Sequence, residues 1–221
     1  MEEIFWFNSW EVNRNHPGFF RQDIHPYIIK YLTPFSLEGK SVFVPLCGKS
    51  LDLLYFSHFA FRVVGVEISE RTVQQFFAET KRSYKRIGNR FISGNLTIFC
   101  CDFFGLTSAD LGAIDVVYDR ASLAALPPSL RMRYRQVLEQ LTPVGALNFL
   151  NTPEYDAVKS AGVLSGMAHD AVASYYPNYV IDHVERPTVS NQETLRSRSL
   201  PQEHAFLMHK LYDTTTLEAL N

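Results

Sequence analysis

Residues 41 to 67 read SVFVPLCGKSLDLLYFSHFAFRVVGVE, and they decide the fold. SVFVPL is a short, continuously apolar run, the pattern of a strand buried on both faces. SLDLLYFSHFA follows with apolar residues at helical spacing and Ser50 where an N-cap belongs. FRVVGVE is a second buried strand. Strand, helix, strand in this order calls for a parallel pair joined by a crossover. The tripeptide Gly48-Lys49-Ser50 also matches the end of a phosphate-binding P-loop. That pattern requires a second glycine five residues earlier, so that successive N–H groups curl around phosphate. Phe43 stands there, inside the strand, and the P-loop reading fails on spacing.

The same alternation continues outward. SERTVQQFFAETKRSYKRI (69–87) has a capping residue, acids early, bases late, and Val73, Phe76, Phe77 and Tyr84 on one face, which predicts one long helix. NLTIFCCD and IDVVYD read as a third and a fourth strand, and Pro127-Pro128 opens a helix through SLRMRYRQVLEQL. GALNFLN is a fifth strand, HDAVASYY a helix, and YVIDHVE and HAFLMHKLY two further strands separated by the polar stretch RPTVSNQETLRSRSLPQ. Residues 1–38 are rich in aromatics without strand alternation, and His16-Pro17-Gly18 divides them, so they read as helical pieces packed over the rest. No internal repeat or low-complexity segment interrupts this order. One α/β domain over 1–221 is expected, with an N-terminal lid at 1–38 and a Rossmann-like core from 40.

Composition bounds the partners. The formal charge of −2 offers no electrostatic reason to bind nucleic acid or an anionic membrane. No apolar stretch approaches a membrane span, and MEEIFWFNSW is acidic rather than basic-then-apolar as a signal peptide would be. Cys47, Cys100 and Cys101 form neither a disulfide framework nor a zinc-type pair of motifs. A cytoplasmic protein with reduced thiols and no metal site is the expectation.

In parallel sheets of this kind, ligands bind beyond the carboxyl ends of the strands. PLCGKS therefore sits at the crevice, and Glu67, nineteen residues after Gly48, closes the second strand. An acid there can accept from both hydroxyls of a ribose, or simply cap the next helix. One glycine instead of the three in G-x-G-x-x-G leaves nothing arranged for a pyrophosphate. That disfavours NAD and FAD and favours a nucleoside ligand, S-adenosylmethionine first. At the end of the third strand, Asp102 can accept from an adenine amine while Phe103 donates its N–H. Alternatively, Asp102 is an N-cap with Phe103 and Phe104 in the core. Asp119 and Arg120 end the fourth strand at the mouth of the crevice, where the arginine can serve a ligand or a surface ion pair.

Taken together, VPLCGKSLDL, VVGVEISERTVQQFF, CCDFF and VVYDRASLAALPPSLRMRY resemble the thiopurine S-methyltransferase family, with FWFNSW and GFF near the start and HKLY near the end. The resemblance implies the class I methyltransferase fold: a seven-stranded, mostly parallel sheet with an antiparallel last strand, helices on both faces and an N-terminal helical lid. It implies S-adenosylmethionine as cofactor, held at Trp10, Leu46, Glu67 and Arg120, with Asp102 and Phe103 matching the adenine-contacting pair. Arg120 and Arg198 match acceptor-side arginines, and the acceptor implied is a small-molecule thiol.

Two departures concern the acceptor. KSAGVLSG (159–166) stands where the family usually has Gly-Pro-Pro-Phe, and Phe20 where a histidine often follows the Gly-Phe of the arm. Thiopurine-like thiols are therefore expected to be poor acceptors beside smaller thiol or selenium compounds. Methyl transfer from a sulfonium needs alignment and exclusion of water more than a general base, and a nearby cation favours a thiolate. A methyltransferase acting on another small acceptor, and a binding protein without turnover, remain the competing readings.

Overall fold

The computed structural model describes residues 23–153, 169–186 and 203–212. Among these residues nine strands form one sheet: β1 (Ser41–Val44), β2 (Arg62–Glu67), β3 (Lys85–Ile87), β4 (Arg90–Ser93), β5 (Leu96–Cys100), β6 (Val116–Arg120), β7 (Leu147–Pro153), β8 (Tyr179–Glu185) and β9 (Glu203–Lys210). Their order is β3-β4-β5-β2-β1-β6-β7-β9-β8. The strands from β5 to β7 run parallel, and β9 lies antiparallel between β7 and β8. The expected antiparallel last strand is thus present, and the sheet has two strands more than the seven expected, β3 and β4 beyond β5.

Of the two additional strands, β3 comes from the end of the stretch expected to be helical and β4 from residues given no element. The helix that starts after Ser69 ends at Glu79, not near Ile87. Lys81 takes φ 55°, a left-handed turn that a continuing helix does not allow. The chain then forms two hairpins, β3–β4 through Gly88-Asn89 and β4–β5 through Gly94-Asn95. Both glycines have positive φ, which these tight hairpin loops require. At the start of that helix the cap is as expected, the Ser69 hydroxyl accepting from Thr72 N–H at 3.2 Å.

Alternation along each strand builds two cores. Val42, Val44, Val63, Ile98, Val116 and Tyr118 face one side, packed under the helices Pro26–Tyr31, Asp52–Phe59 and Glu70–Glu79. Phe43, Val64, Val66, Phe99 and Val117 face the other, under Pro128–Leu141 and His169–Tyr175. Both faces are covered, as a near-continuously apolar parallel strand demands. Ile28, Leu32 and Leu37 are buried in the first of these cores, so residues from about 24 onward are built into the body of the protein. The lid expectation therefore bears on residues 1–22, which lie outside the described residues.

Candidate active site

The loops after β1, β2, β5 and β6 meet at one end of the sheet around a cleft with a cavity of about 130 Å³. They are tied to one another by the backbone. Cys47 N–H donates to Val66 O at 2.8 Å, Cys101 N–H to Glu67 O at 3.1 Å, and the Ser122 hydroxyl to Pro45 O at 3.2 Å. The β1 loop turns sharply: Leu46 has φ 45° and Gly48 φ 54°. For leucine this is a strained conformation, costing on the order of 1–3 kcal/mol, of a kind found where a site imposes it. Ser50 does not cap a helix directly. Its hydroxyl accepts from Asp52 N–H at 3.2 Å, and the helix begins at Asp52, one residue later than a cap at Ser50 would have it.

Gly65 explains how the loop lies so close to β2. A Cβ there would stand 2.8 Å from Cys47 Sγ, so only glycine lets the thiol pack on the strand. Burial pushes the Cys47 thiol well up, with the Glu67 charge adding to it, so this cysteine is a packing group rather than a nucleophile.

Glu67 is buried yet lines the cleft. Its Oε2 accepts from Gly48 N–H at 3.2 Å and its Oε1 from Ser69 N–H at 2.8 Å. A carboxylate offers about four acceptor sites, so capacity remains toward the cleft. Burial raises its pKa to about 7, against the backbone hydrogen bonds that favour the charged form. The carboxylate is thus held ready by the loop it faces.

Asp102 and Phe103 line the same cleft, and the capping alternative raised for them is the one observed. Asp102 caps a short 3-10 turn, Phe103–Gly105, its Oδ1 accepting from Phe104 N–H at 2.9 Å. Phe103 is buried in the second core, while no turn or cap hydrogen bond among the described residues uses its N–H.

At the end of β6 the expectation needs correcting. Strand period separates Asp119 from Arg120, and only Arg120 lines the cleft. Asp119 turns into the second core, where it accepts from Ser122 N–H at 3.1 Å and from the Tyr134 hydroxyl at 2.8 Å. Burial raises its pKa to about 6, and its role is to hold the turn after β6. In that turn Ala121, which lines the cleft, takes φ 62°. Tyr118, two residues before Arg120, shares its face and lines the cleft too. Sequence reasoning passed over it, although the same period of two would have found it. Its hydroxyl donates to Asp52 Oδ2 at 2.9 Å.

Lys49 lines the cleft but carries its ammonium to Glu79 Oε1 at 2.5 Å, consistent with a loop that is no P-loop. Of the residues singled out in the sequence, Leu46, Glu67, Asp102, Phe103 and Arg120 are brought together. Trp10, Phe20, Arg198 and the 159–166 segment lie outside the described residues.

A doubly covered sheet of this strand order, with its cleft beyond the carboxyl ends of β1, β2, β5 and β6, is that of the class I S-adenosylmethionine-dependent methyltransferases. The Burkholderia thailandensis 1,6-didemethyltoxoflavin-N1-methyltransferase, solved with S-adenosylhomocysteine, superposes with a TM-score of 0.64 at 13% identity, over 95% of this chain and 87% of that one. Within that class, residues 1–213 match the family model described as Thiopurine S-methyltransferase (TPMT), and the chain belongs to this family. The thiopurine S-methyltransferase of Shewanella woodyi is 35% identical over 205 residues, covering 88% of this chain and 89% of that protein. That of Pseudomonas fluorescens is 38% identical over 181 residues, covering 78% and 81%.

Proposed function

We propose that this methyltransferase carries methyl groups from S-adenosylmethionine to the sulfur of a small-molecule thiol, and that the cleft described above is where it does so. The observation that carries the reading is the convergence of Glu67, Asp102, Phe103 and Arg120, from the ends of three different strands, on one cavity. The residues fit the cofactor. Glu67 offers buried acceptor capacity for ribose hydroxyls, Asp102 and the Phe103 N–H offer an acceptor and a donor for an adenine edge, and the Leu46–Gly48 turn presents backbone close to both. Arg120 Nε is buried with no hydrogen-bond partner among the described residues, a donor left for a ligand.

When bound, S-adenosylmethionine supplies a methyl group together with its own leaving group. The chain's residues then have three tasks. Glu67 and the loop around it orient the nucleoside, and the guanidinium of Arg120 favours the thiolate form of an acceptor beside it. The apolar walls, Phe103, Phe104 and Leu126 among them, keep water away from the reacting atoms. Trp10 on the cofactor and Arg198 on the acceptor complete the proposal from the family resemblance. The whole chain is read as one domain, a cytoplasmic monomer that requires no metal and no nucleic-acid or membrane partner.

The test is a panel of thiol, selenol, amine and hydroxyl acceptors assayed for S-adenosylhomocysteine release. Turnover confined to thiols and selenols is expected, with a thiopurine among the poorer acceptors. Turnover of amines or hydroxyls alone removes the sulfur reading. Cofactor binding without release for any acceptor would favour a binding protein.

A further inference from the structure

Behind the cleft lies a buried polar chain that the methyl-transfer reading does not use. It centres on His25, at the start of the helix Pro26–Tyr31 and 1% exposed. Its backbone N–H donates to Asp52 Oδ1 at 2.8 Å. Its Nδ1 accepts from Tyr27 N–H at 3.2 Å, which places the ring proton on Nε2. Nε2 in turn meets Glu203 Oε2. The ring is thus fixed on both nitrogens and cannot turn without breaking one of these bonds.

Glu203 opens β9 and is itself buried. Its other oxygen, Oε1, stands 3.6 Å from Arg120 Nη2. Burial alone would push this carboxyl up. The hydrogen bond from His25 and the Arg120 charge outweigh it, and the group lies below the usual range. A further hydrogen bond to Glu203 comes from Asn151, the cross-strand neighbour of Arg120 on β7. Arg120 has no comparable set of anchors. Among the described residues its side chain makes this one charged contact, and Nε is unpaired. Its side chain is 11% exposed, so an unpaired guanidinium there would be a costly buried charge.

We propose that Glu203, locked in place by His25, is the positioning residue that aims Arg120 into the cleft. The lock lies outside the cleft lining, so ligand contacts at Arg120 stay open while its orientation is set from behind. The inference rests on the methyl-transfer reading for its catalytic consequence, but the positioning itself is readable in the free protein.

The experiment compares the parent with Glu203→Gln, Glu203→Asp and His25→Phe. Hydrogen exchange at Arg120 Nε is followed by 15N NMR in the free protein, alongside S-adenosylhomocysteine affinity, thermal stability and kcat with a small aryl thiol. Glu203→Gln is expected to speed Nε–H exchange at least tenfold and to lower kcat about tenfold, with product affinity within threefold of the parent. Glu203→Asp, which keeps the charge, should fall between the two. If Glu203→Gln does not fold, His25→Phe, which keeps the carboxylate and the ring volume but removes the N–H that locks it, should show the faster exchange. Unchanged Nε–H exchange in the folded variants overturns the proposal. So does a fall in kcat and product affinity by the same factor alongside lost thermal stability, the mark of a merely structural role. Faster exchange in a parent framework that transfers no methyl would sink the methyl-transfer reading and leave the positioning role standing.

Discussion

Glu67 is the residue on which cofactor binding should turn, and its titration gives the prediction a sign. Its pKa is raised to about 7 by burial, and ribose hydroxyls need the charged form as acceptor. Affinity for S-adenosylhomocysteine should therefore rise with pH and level off above about 7. One unit below that value only about a tenth of the groups are ionised, so binding at pH 6 should be about tenfold weaker than on the plateau. The same shift acts on folding. The folded chain keeps the proton up to about pH 7, whereas an unfolded glutamate releases it near its model value of 4.5. The free protein thus has its full stability from this group below the unfolded value and loses it as pH rises to about 7. That loss is about 3 kcal/mol if nothing else changes. Glu67→Gln removes both dependences. Its amide oxygen can keep one backbone N–H but presents an NH2 to the other, and the charge-assisted bonds to ribose are gone. Binding at pH 8 should weaken by about 2–3 kcal/mol, roughly 30- to 150-fold. Isothermal titration of parent and variant between pH 5.5 and 8 reads all of this. A variant that binds as tightly as the parent at pH 8, or a parent profile that is flat, would refute the reasoning.

Three other outcomes follow from the geometry. Gly65→Ala puts a methyl 2.8 Å from Cys47 Sγ; it should cost about 1–3 kcal/mol in denaturant unfolding and weaken product binding, and Cys47→Ala in the same chain should recover much of both. Tyr118→Phe leaves Asp52, 2% exposed, with one hydrogen bond fewer, a loss of about 1–3 kcal/mol that a thermal melt would show and an unchanged melt would deny. Lys49→Ala should change product affinity less than threefold, since the ammonium is turned to Glu79; ATP hydrolysis that disappeared in this variant would restore the P-loop reading.

What the sequence discloses here is what local pattern can carry. β1, β2, β5 and β6 are short apolar runs with a single reading, and the cleft residues at their ends follow from the rule that ligands bind at carboxyl ends. The β3–β4 hairpin was legible in principle, because Gly88-Asn89 and Gly94-Asn95 are hairpin dipeptides eight and two residues before β5. The charged and polar residues between 79 and 90 fit a helix surface equally well, and the helical period masked them. Asp119 leaves the cleft for a different reason: adjacent residues in one strand cannot share a face, so nearness to Arg120 in sequence does not carry it into the site. The clamp on Arg120 was beyond reach altogether. His25 and Glu203 are 178 residues apart, and no spacing rule links the first turn of a helix to the antiparallel strand that closes the sheet.

The central claim is that this cleft moves a methyl group to sulfur. The most direct measurement supplies S-adenosylmethionine carrying 13C in its methyl group, together with a small aryl thiol that also bears an amine and a hydroxyl, and reads the labelled carbon by NMR. A single S-methyl resonance that grows with enzyme concentration, formed one for one with S-adenosylhomocysteine, is expected. Label on nitrogen or oxygen while sulfur stays bare, or no labelled product above the uncatalysed background, would contradict it.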